Sequence, residues 1–251
     1  VRSLFIPEEG KALIVSDYGQ LEMRIMAHYA DETEMIKAIS EDKDLHSMTA
    51  SLAAGYDYEK VVSAKKKKEK GKNLTPEEIE LCVVRRNMKA VGFGLNYGIG
   101  AVKLGRQLGL NIDETMVRGR VKEKCPEGEQ LIKDYFNVYP NIQRYIEDTK
   151  RYAMENMYVQ TISGRYRRLP EVNSSQFWIR AKAQRQAANT VIQGSAIDIM
   201  NADILNIYTS KEFRNLGAKM LLQVHDELII ECDDDPTVID KVKQIVQDSM
   251  E

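Results

Sequence analysis

Two adjacent acids stand between two apolar runs in the stretch QVHDELIIE, residues 223–231. The residues just before it (220–222) and those at its end (228–230) are apolar. Apolar runs separated by a short polar break predict two strands joined by a tight turn. Such a hairpin would hold Asp226 and Glu227 at the rim of a hydrophobic sheet. A charged group in that position needs a partner or a cation.

A second strand pattern near the start of the chain also ends in an acid. KALIVSD, from Lys11 to Asp17, predicts a short buried strand, Gly19 breaks it, and a helix follows from about Leu21. If this strand lies beside the hairpin, Asp17 and Asp226 could together hold two divalent cations. Oxygen ligands of this kind suit Mg²⁺, with Mn²⁺ as a possible substitute. The alternative is an ordinary strand-to-helix turn with an acid near the helix start.

The stretch RRNMKAVGFGLNYG, residues 85–98, carries an unusual side-chain stripe. Arg85, Lys89, Phe93 and Tyr97 recur every four residues, so they share one face of a predicted helix. Two cations followed by two aromatic rings suit a nucleotide, with phosphates on the cations and a base or sugar on the rings. Three glycines in the stretch indicate close backbone approach or a bend, and the alternative is a helix that ends near Gly92.

The rest of the chain is mostly helical in pattern, with strands near both ends. This layout predicts an α+β fold with an antiparallel sheet covered by helices on one face. The predicted helical stretches are 31–54, 77–97, 128–157 with an interruption near Pro140, 174–208 with a possible break at Gly194, and the last eighteen residues.

A lysine-rich stretch, KKKKEKGKNLTPEE at 65–78, is predicted to be a charged, solvated loop. The alternative is a contact with the DNA backbone, since clustered lysines attract phosphate. Thr75, Pro76 and Glu78 predict a capped helix start.

Composition excludes some classes of protein and leaves others open. The net charge of −2 does not indicate a nucleic-acid partner, so such a partner must be recognised by local patches. The three cysteines are scattered, which favours a reducing compartment and no structural metal. No apolar run predicts a membrane span. The chain starts with Val1 and stops within a helical pattern, so we expect a fragment of a longer protein.

Taken together, these stretches resemble the family A DNA polymerases, of the bacterial DNA polymerase I type. SDYGQLEMR (16–24) is similar to that family's motif A, RRNMKAVGFGLNYG to motif B, and QVHDE to motif C. DLHSMTA, TISGRYRRLP and QAANTVIQGSA resemble stretches between the motifs. The resemblance implies a right-hand polymerase fold, with a palm at 1–30 and 128–251 and mostly helical fingers at 31–127 that include a charged insertion at about 62–78.

The resemblance also implies a role for particular residues. Asp17, Asp226 and the Tyr18 carbonyl would bind two magnesium ions, with Lys89 and Glu227 completing the catalytic set. Glu22 would be the steric gate that excludes a 2′-hydroxyl. The incoming nucleotide would contact Tyr18, Gln20, Glu22, His46, Arg85, Lys89, Phe93 and Tyr97. DNA would contact Arg24, Arg185, Asn189, Gln193 and His225.

The implied activity is DNA-directed DNA synthesis, in which a deoxynucleotide is transferred to a primer 3′-hydroxyl and pyrophosphate leaves. The implied partners are primer–template DNA and dNTPs, with no membrane. We expect a monomer in the cytoplasm of a bacterial or phage-infected cell, or in an organelle. Gly19, Gly92 and Ile192 depart from the usual family residues without removing a catalytic group.

Two other functions stay open at this point. A single-subunit RNA polymerase shares the motif B stripe, but Glu22 argues against an enzyme for ribonucleotides. A DNA-binding module without catalysis is the other, and the intact Asp17 and Asp226 argue against it.

Overall fold

The protein has an α+β fold in a computed structural model that describes residues 4–96, 98–117 and 120–250. The strands are β1 (Lys11–Asp17), β2 (Asp113–Val117), β3 (Arg120–Lys124), β4 (Tyr158–Gln160), β5 (Tyr166–Arg168), β6 (Lys219–Val224) and β7 (Glu227–Asp233). The helices are α1 (Leu21–Ala30), α2 (Thr33–Ser40), α3 (Leu45–Ala54), α4 (Tyr58–Glu69), α5 (Pro76–Asn96), α6 (Ala101–Leu108), α7 (Pro126–Val138), α8 (Pro140–Asn156), α9 (Phe177–Thr209), α10 (Lys211–Asn215) and α11 (Pro236–Met250). A 3₁₀ helix spans Pro170–Asn173.

The main sheet is antiparallel, with strand order β1-β7-β6. This confirms both strand predictions, because KALIVSD pairs with the second strand of the acidic hairpin along its whole length, from Lys11 opposite Asp233 to Asp17 opposite Glu227. The central strand β7 is buried from Glu227 to Cys232. Helix α11 packs against β1 and β7, so helical cover of the sheet is also confirmed.

Two small hairpins, β2–β3 and β4–β5, lie in the middle of the chain, between the predicted helical stretches, where we expected no strands. Their sequences, DETMV with RVKEK and YVQ with YRR, are short and polar. They lack the apolar alternation by which a half-buried strand is recognised.

The long helices follow the predicted pattern, with one difference. Pro140 starts α8 directly after α7, as expected of a proline at the first helical position. Helix α9, in contrast, continues through Gly194, where we expected a possible break. A β-carbon at Gly194 would stand 2.5 Å from Cγ2 of Thr161. Glycine therefore allows close packing there, which offsets its cost of about 1 kcal/mol relative to alanine in a helix.

The predicted loop at 65–78 was wrong in its first part. Helix α4 continues to Glu69, because Val61 and Ala64 are buried beside Leu81 and Met88 and fix its inner face. The predicted capped start of α5 is confirmed. The Glu78 N–H donates to Thr75 Oγ1 at 3.3 Å, and the Thr75 N–H donates to Glu78 Oε2 at 2.9 Å.

The chain forms two compact units. Unit 1 contains residues 1–23, 161–165 and 193–251, and its centre is the main sheet with α11. Unit 2 contains residues 24–160 and 166–192. One of its buried clusters joins α8, β4 and α9 through Ala153, Val159 and Ala187. The predicted palm and fingers boundaries, 30/31 and 127/128, describe functional subdomains and stay a prediction.

Within the described ranges, no helix has the length and apolarity needed to cross a membrane. The three cysteines are free thiols.

We predict that Thr75→Ala lowers the free energy of unfolding by about 1 kcal/mol, the usual cost of removing a capping hydroxyl. Thr75→Ser keeps a hydroxyl and should retain most of the stability. Urea denaturation followed by circular dichroism measures both. Equal losses in the two variants would contradict a capping role for the hydroxyl.

Candidate active site

The acidic ends of β1 and of the hairpin meet through the backbone. Asp17 is the last residue of β1 and lies opposite Glu227 in the ladder. One residue further, the Tyr18 N–H donates to the Asp226 carbonyl oxygen at 3.2 Å. Asp17, Asp226 and Glu227 are therefore brought together at one end of the sheet, as the sequence predicted for the first two. Asp17 is exposed, Asp226 half-buried and Glu227 buried.

The turn that carries Asp226 holds a strained backbone. His225 has φ 59°, and Val224 pairs with Glu227, so the turn has two central residues. A positive φ at the first central residue alone is the pattern of a type II′ turn, where glycine is normally preferred. Strain of this kind costs about 1–3 kcal/mol and persists where the surroundings enforce it. The adjacent Gln223 amide donates to the His225 carbonyl at 3.2 Å.

Tyr18 is anchored through its side chain, beyond the backbone bond to Asp226. Its hydroxyl donates to Asp203 Oδ2 at 2.7 Å. Burial raises the pKa of Tyr18 well above its usual range, and the bond to Asp203 raises it further. Burial also raises the pKa of Asp203, against the effect of the tyrosine hydrogen bond. Sequence reasoning missed Asp203, which no motif marks.

Glu22 lies at the start of α1, and only one of its two carboxylate oxygens accepts a hydrogen bond from the described residues. The Gln193 amide donates to Glu22 Oε1 at 3.3 Å. Oε2 is buried and has no hydrogen-bond partner among the described residues. The same holds for Oε1 of Gln20, whose backbone has φ 59°. An unpaired buried acceptor costs about 1–3 kcal/mol, so a hydrogen-bond donor at either oxygen would be stabilising.

The acidic residues at this end of the sheet offer oxygen donors. Among the described residues, no group of three or more His, Cys, Asp or Glu side chains is arranged to hold a metal ion. Two aspartates and the backbone carbonyl of Tyr18 supply oxygen donors, which hard divalent cations prefer. The chemistry of the donor set therefore fits magnesium, although the side chains alone do not form a complete shell.

In unit 2, the predicted cationic stripe lies on α5, which does not end near Gly92. The Lys89 ammonium lies 5.6 Å from the centre of the Phe93 ring, and the His46 ring from α3 lies 5.4 Å from it. Lys89, Phe93 and His46 thus form one cluster. The fourth member of the stripe, Tyr97, lies outside the described residues.

Arg85, the first member of the stripe, is held by an acid that sequence reasoning missed. Its guanidinium donates to both carboxylate oxygens of Asp44 at 3.0 Å and through Nε to Ser47 Oγ at 2.9 Å. Lys65 of α4 also donates to Asp44, at 3.0 Å. Burial opposes ionisation of Asp44, but these hydrogen bonds outweigh it and hold its pKa well below the usual range. The sequence signal for Asp44 is its position as the N-cap of α3, where its side chain accepts from the Ser47 N–H at 2.7 Å.

His46 is neutral at physiological pH. Its side chain is 3% exposed, and burial lowers its pKa from the ordinary value of 6.5 to about 4. The Asp44 carboxylate counteracts this effect, whereas the cations Lys89, Arg85 and Lys65 add to it. The buried imidazole therefore adds no positive charge to the cluster.

Four of the residues predicted to contact DNA lie on two helices, and His225 lies in the turn between β6 and β7. Arg185, Asn189 and Gln193 are spaced by four along α9, so they share one side of that helix. The aliphatic part of Arg185 fills the space beside Gly98, where a β-carbon would stand 2.5 Å from Cγ. Oδ1 of Asn189 is buried without a hydrogen-bond partner in the part of the chain described. Arg24 is exposed on α1.

Comparison with known proteins gives consistent matches. The family model described as DNA polymerase family A matches residues 1–251. The chain is 35% identical to DNA polymerase I of Caldicellulosiruptor bescii, over 100% of this chain and 26% of that protein. It is 33% identical to DNA polymerase I of Lactococcus lactis subsp. lactis, over 100% of this chain and 25% of that protein. The chain thus spans about a quarter of the length of these curated relatives.

A solved structure matches as well. The POL domain of Pol1 from M. smegmatis, in complex with DNA primer-template and dNTP, aligns with a TM-score of 0.79 and 33% sequence identity. The match covers 98% of this chain and 38% of that chain.

We predict that acid destabilises the protein through His46. The unfolded chain takes up a proton as the pH falls through about 6.5, whereas folded His46 does so only near pH 4. Its contribution is therefore complete above pH 6.5 and is lost as the pH falls toward 4. Between pH 7.5 and pH 5 the loss should be about 2 kcal/mol. Urea denaturation at the two pH values should show a smaller loss for His46→Gln; equal losses would exclude His46 as the cause.

Proposed function

Because the chain belongs to DNA polymerase family A, we propose that the protein that contains it is a DNA-directed DNA polymerase. In this proposal it transfers deoxynucleotides to a primer 3′-hydroxyl, in replication or repair. The observation that carries the proposal is the pairing of Asp17 with Glu227 and of Tyr18 with Asp226, which joins motifs A and C at one end of the sheet. Phosphoryl transfer requires positioning and charge neutralisation more than covalent chemistry, and such an acidic end supports both.

Asp17 and Asp226, with the carbonyl of Tyr18, would hold two magnesium ions, and manganese could substitute. When bound, such ions activate the attacking hydroxyl and stabilise the leaving oxygen. Glu227 is buried next to Asp226 and would support its position. The bond from the Tyr18 hydroxyl to Asp203 supports this role, because it fixes the residue whose carbonyl is needed.

The incoming dNTP would be bound by the cluster of α3 and α5. Arg85 and Lys89 would neutralise its triphosphate, while neutral His46 would donate a hydrogen bond without adding charge. Phe93 would pack beside the sugar and base. Lys89 completes the catalytic set, and Tyr18, Gln20 and Tyr97 would make further contacts with the nucleotide.

Glu22 would select against ribonucleotides. Its contact with Gln193 supports this role, because the amide restrains the carboxylate at the start of α1. A carboxylate held in this way would crowd the 2′-hydroxyl of an incoming ribonucleotide.

Primer–template DNA would be bound by Arg24, Arg185, Asn189, Gln193 and His225. Amide and guanidinium groups can donate to the minor-groove acceptors present in all base pairs, which suits an enzyme that ignores sequence. The complex of the M. smegmatis polymerase domain with DNA primer-template and dNTP supports DNA as a partner by similarity. A cytoplasmic or organellar location and a monomeric state remain predictions.

We predict that Asp226→Ala in the full-length protein reduces primer extension by at least about a thousandfold, since it removes one of two metal-binding carboxylates. DNA affinity should stay within about threefold of the parent. Gel-based extension with a labelled primer and Mg²⁺ measures the first, and fluorescence anisotropy the second.

Asp234→Ala provides a matched control, since Asp234 is an exposed acid just beyond the other end of β7. It should extend primers as the parent does. Extension by Asp226→Ala at the parental rate would remove Asp226 from the reaction.

We predict that Glu22→Ala raises the ratio of ribonucleotide to deoxynucleotide incorporation by about a hundredfold or more, equivalent to about 3 kcal/mol of lost discrimination. Single-nucleotide insertion with rNTP and dNTP measures the ratio. Glu34→Ala, which removes an exposed acid from α2, should leave it unchanged. An unchanged incorporation ratio in Glu22→Ala would reject the role of Glu22 as a steric gate.

A further inference from the structure

One side of α4 borders a groove of about 280 Å³ in the charged insertion. Its helical lining residues recur at spacings of three and four, so they share one helix face. After α4 the chain turns back at Gly71, with φ 63°, and the Lys72 N–H donates to the Lys67 carbonyl at 3.0 Å. This turn brings Lys72 to the same groove. The groove is lined by Glu59, Val62, Ser63, Lys66, Lys67, Lys70 and Lys72.

The lysines of this segment differ in whether they have an acidic partner. Lys60 pairs with Glu77 at 3.1 Å, Lys65 with Asp44 at 3.0 Å, and Lys67 with Glu78. Within the described residues, Lys66, Lys70 and Lys72 form no ion pair, and all three are exposed.

The charge in the groove is therefore unbalanced. Four of its lining residues are lysines, and Glu59 is the acid among them. Elsewhere on α4 a lysine is neutralised by an acid of the next helix, as Lys60 is by Glu77 of α5. Clustered ammonium groups repel each other, and a polyanion with regularly spaced charges relieves this repulsion by replacing small counterions.

The groove is held on a fixed element. The opposite side of α4 is buried through Val61 and Ala64, next to Leu81 and Met88 of α5. Lys65 of the same helix donates a hydrogen bond to the carboxylate of Asp44, which also accepts from Arg85. Helix α4 thus carries the lysine groove and, through Lys65, also contacts the cluster that we assign to the nucleotide. This shared helix favours a nucleic acid as the polyanion.

We propose that the groove formed by Lys66, Lys70 and Lys72 binds the phosphate backbone of the DNA on which the polymerase acts. The inference rests on the proposed function and adds to it a DNA contact from the charged insertion. Ammonium groups contact phosphate oxygens without reading base edges, so the contact does not depend on sequence.

The test compares DNA binding by two triple variants of the full-length protein. Lys66→Ala/Lys70→Ala/Lys72→Ala removes the groove. Lys211→Ala/Lys241→Ala/Lys243→Ala removes the same charge from exposed positions on α10 and α11. Fluorescence anisotropy with a labelled primer–template that carries a single-stranded overhang gives Kd from 50 to 300 mM salt. Thermal unfolding by circular dichroism checks that both variants are folded.

We expect the groove variant to bind DNA about tenfold more weakly at 150 mM salt. The slope of log affinity against log salt should be smaller in magnitude by about 2, since each lost phosphate contact removes about 0.7–0.9. The control variant should keep the parental slope. An unchanged slope in the groove variant, or an equal change in the control, would overturn the proposal. The proposal would also be overturned if the groove variant lost affinity for inorganic tripolyphosphate but bound DNA as tightly as the parent.

Primer extension at saturating DNA separates this proposal from the proposed function. The groove variant should then extend at the parental rate, because its defect is in DNA affinity. If the parent extends primers and the groove variant binds DNA as tightly as the parent, only the groove proposal is rejected. A parent that fails to extend primers rejects the proposed function, whatever the binding result.

Discussion

The hydrogen bond from the Tyr18 N–H to the Asp226 carbonyl joins the two acidic motifs of the chain. It continues the β1–β7 ladder by one step beyond the Asp17–Glu227 pair, so the positions of three acids follow from backbone register. A slip of one residue would turn the alternate side chains to the other face of the sheet. Neighbouring like charges repel each other. The strand β7, which is buried from Glu227 to Cys232, supplies stability that opposes this repulsion.

In unit 2, two cationic side chains are neutralised by an acid before any ligand binds. Asp44 binds Arg85 and Lys65, and its pKa is held low enough for the carboxylate to stay ionised. Next to it, burial keeps His46 neutral, so the cluster around Phe93 gains a polar group without a further cation. Under the proposed function, a triphosphate that binds Arg85 exchanges one anionic partner for another, which lowers the cost of uncovering the guanidinium.

Backbone elements with strong local patterns could be predicted from the sequence, and features that depend on tertiary contacts could not. Short apolar runs bounded by polar residues predicted β1 and the hairpin, and the Thr75–Glu78 pattern predicted the start of α5. The hairpins β2–β3 and β4–β5 have polar strands and gave no such signal. The length of α4 depends on burial of Val61 and Ala64, which the charged sequence around them concealed. Among the site residues, spacing placed Arg85, Lys89 and Phe93 on one helix, whereas Asp44 and Asp203 became visible only as partners of Arg85 and Tyr18.

The most direct test of the account is the location of metal ions at the end of the sheet. Crystals of the full-length protein grown with primer–template DNA, a non-hydrolysable dNTP analogue and Mn²⁺ would give anomalous diffraction from the bound metal. We expect two peaks about 3.5–4 Å apart, in contact with the carboxylates of Asp17 and Asp226. Ordered DNA and nucleotide with no manganese at either carboxylate would contradict it.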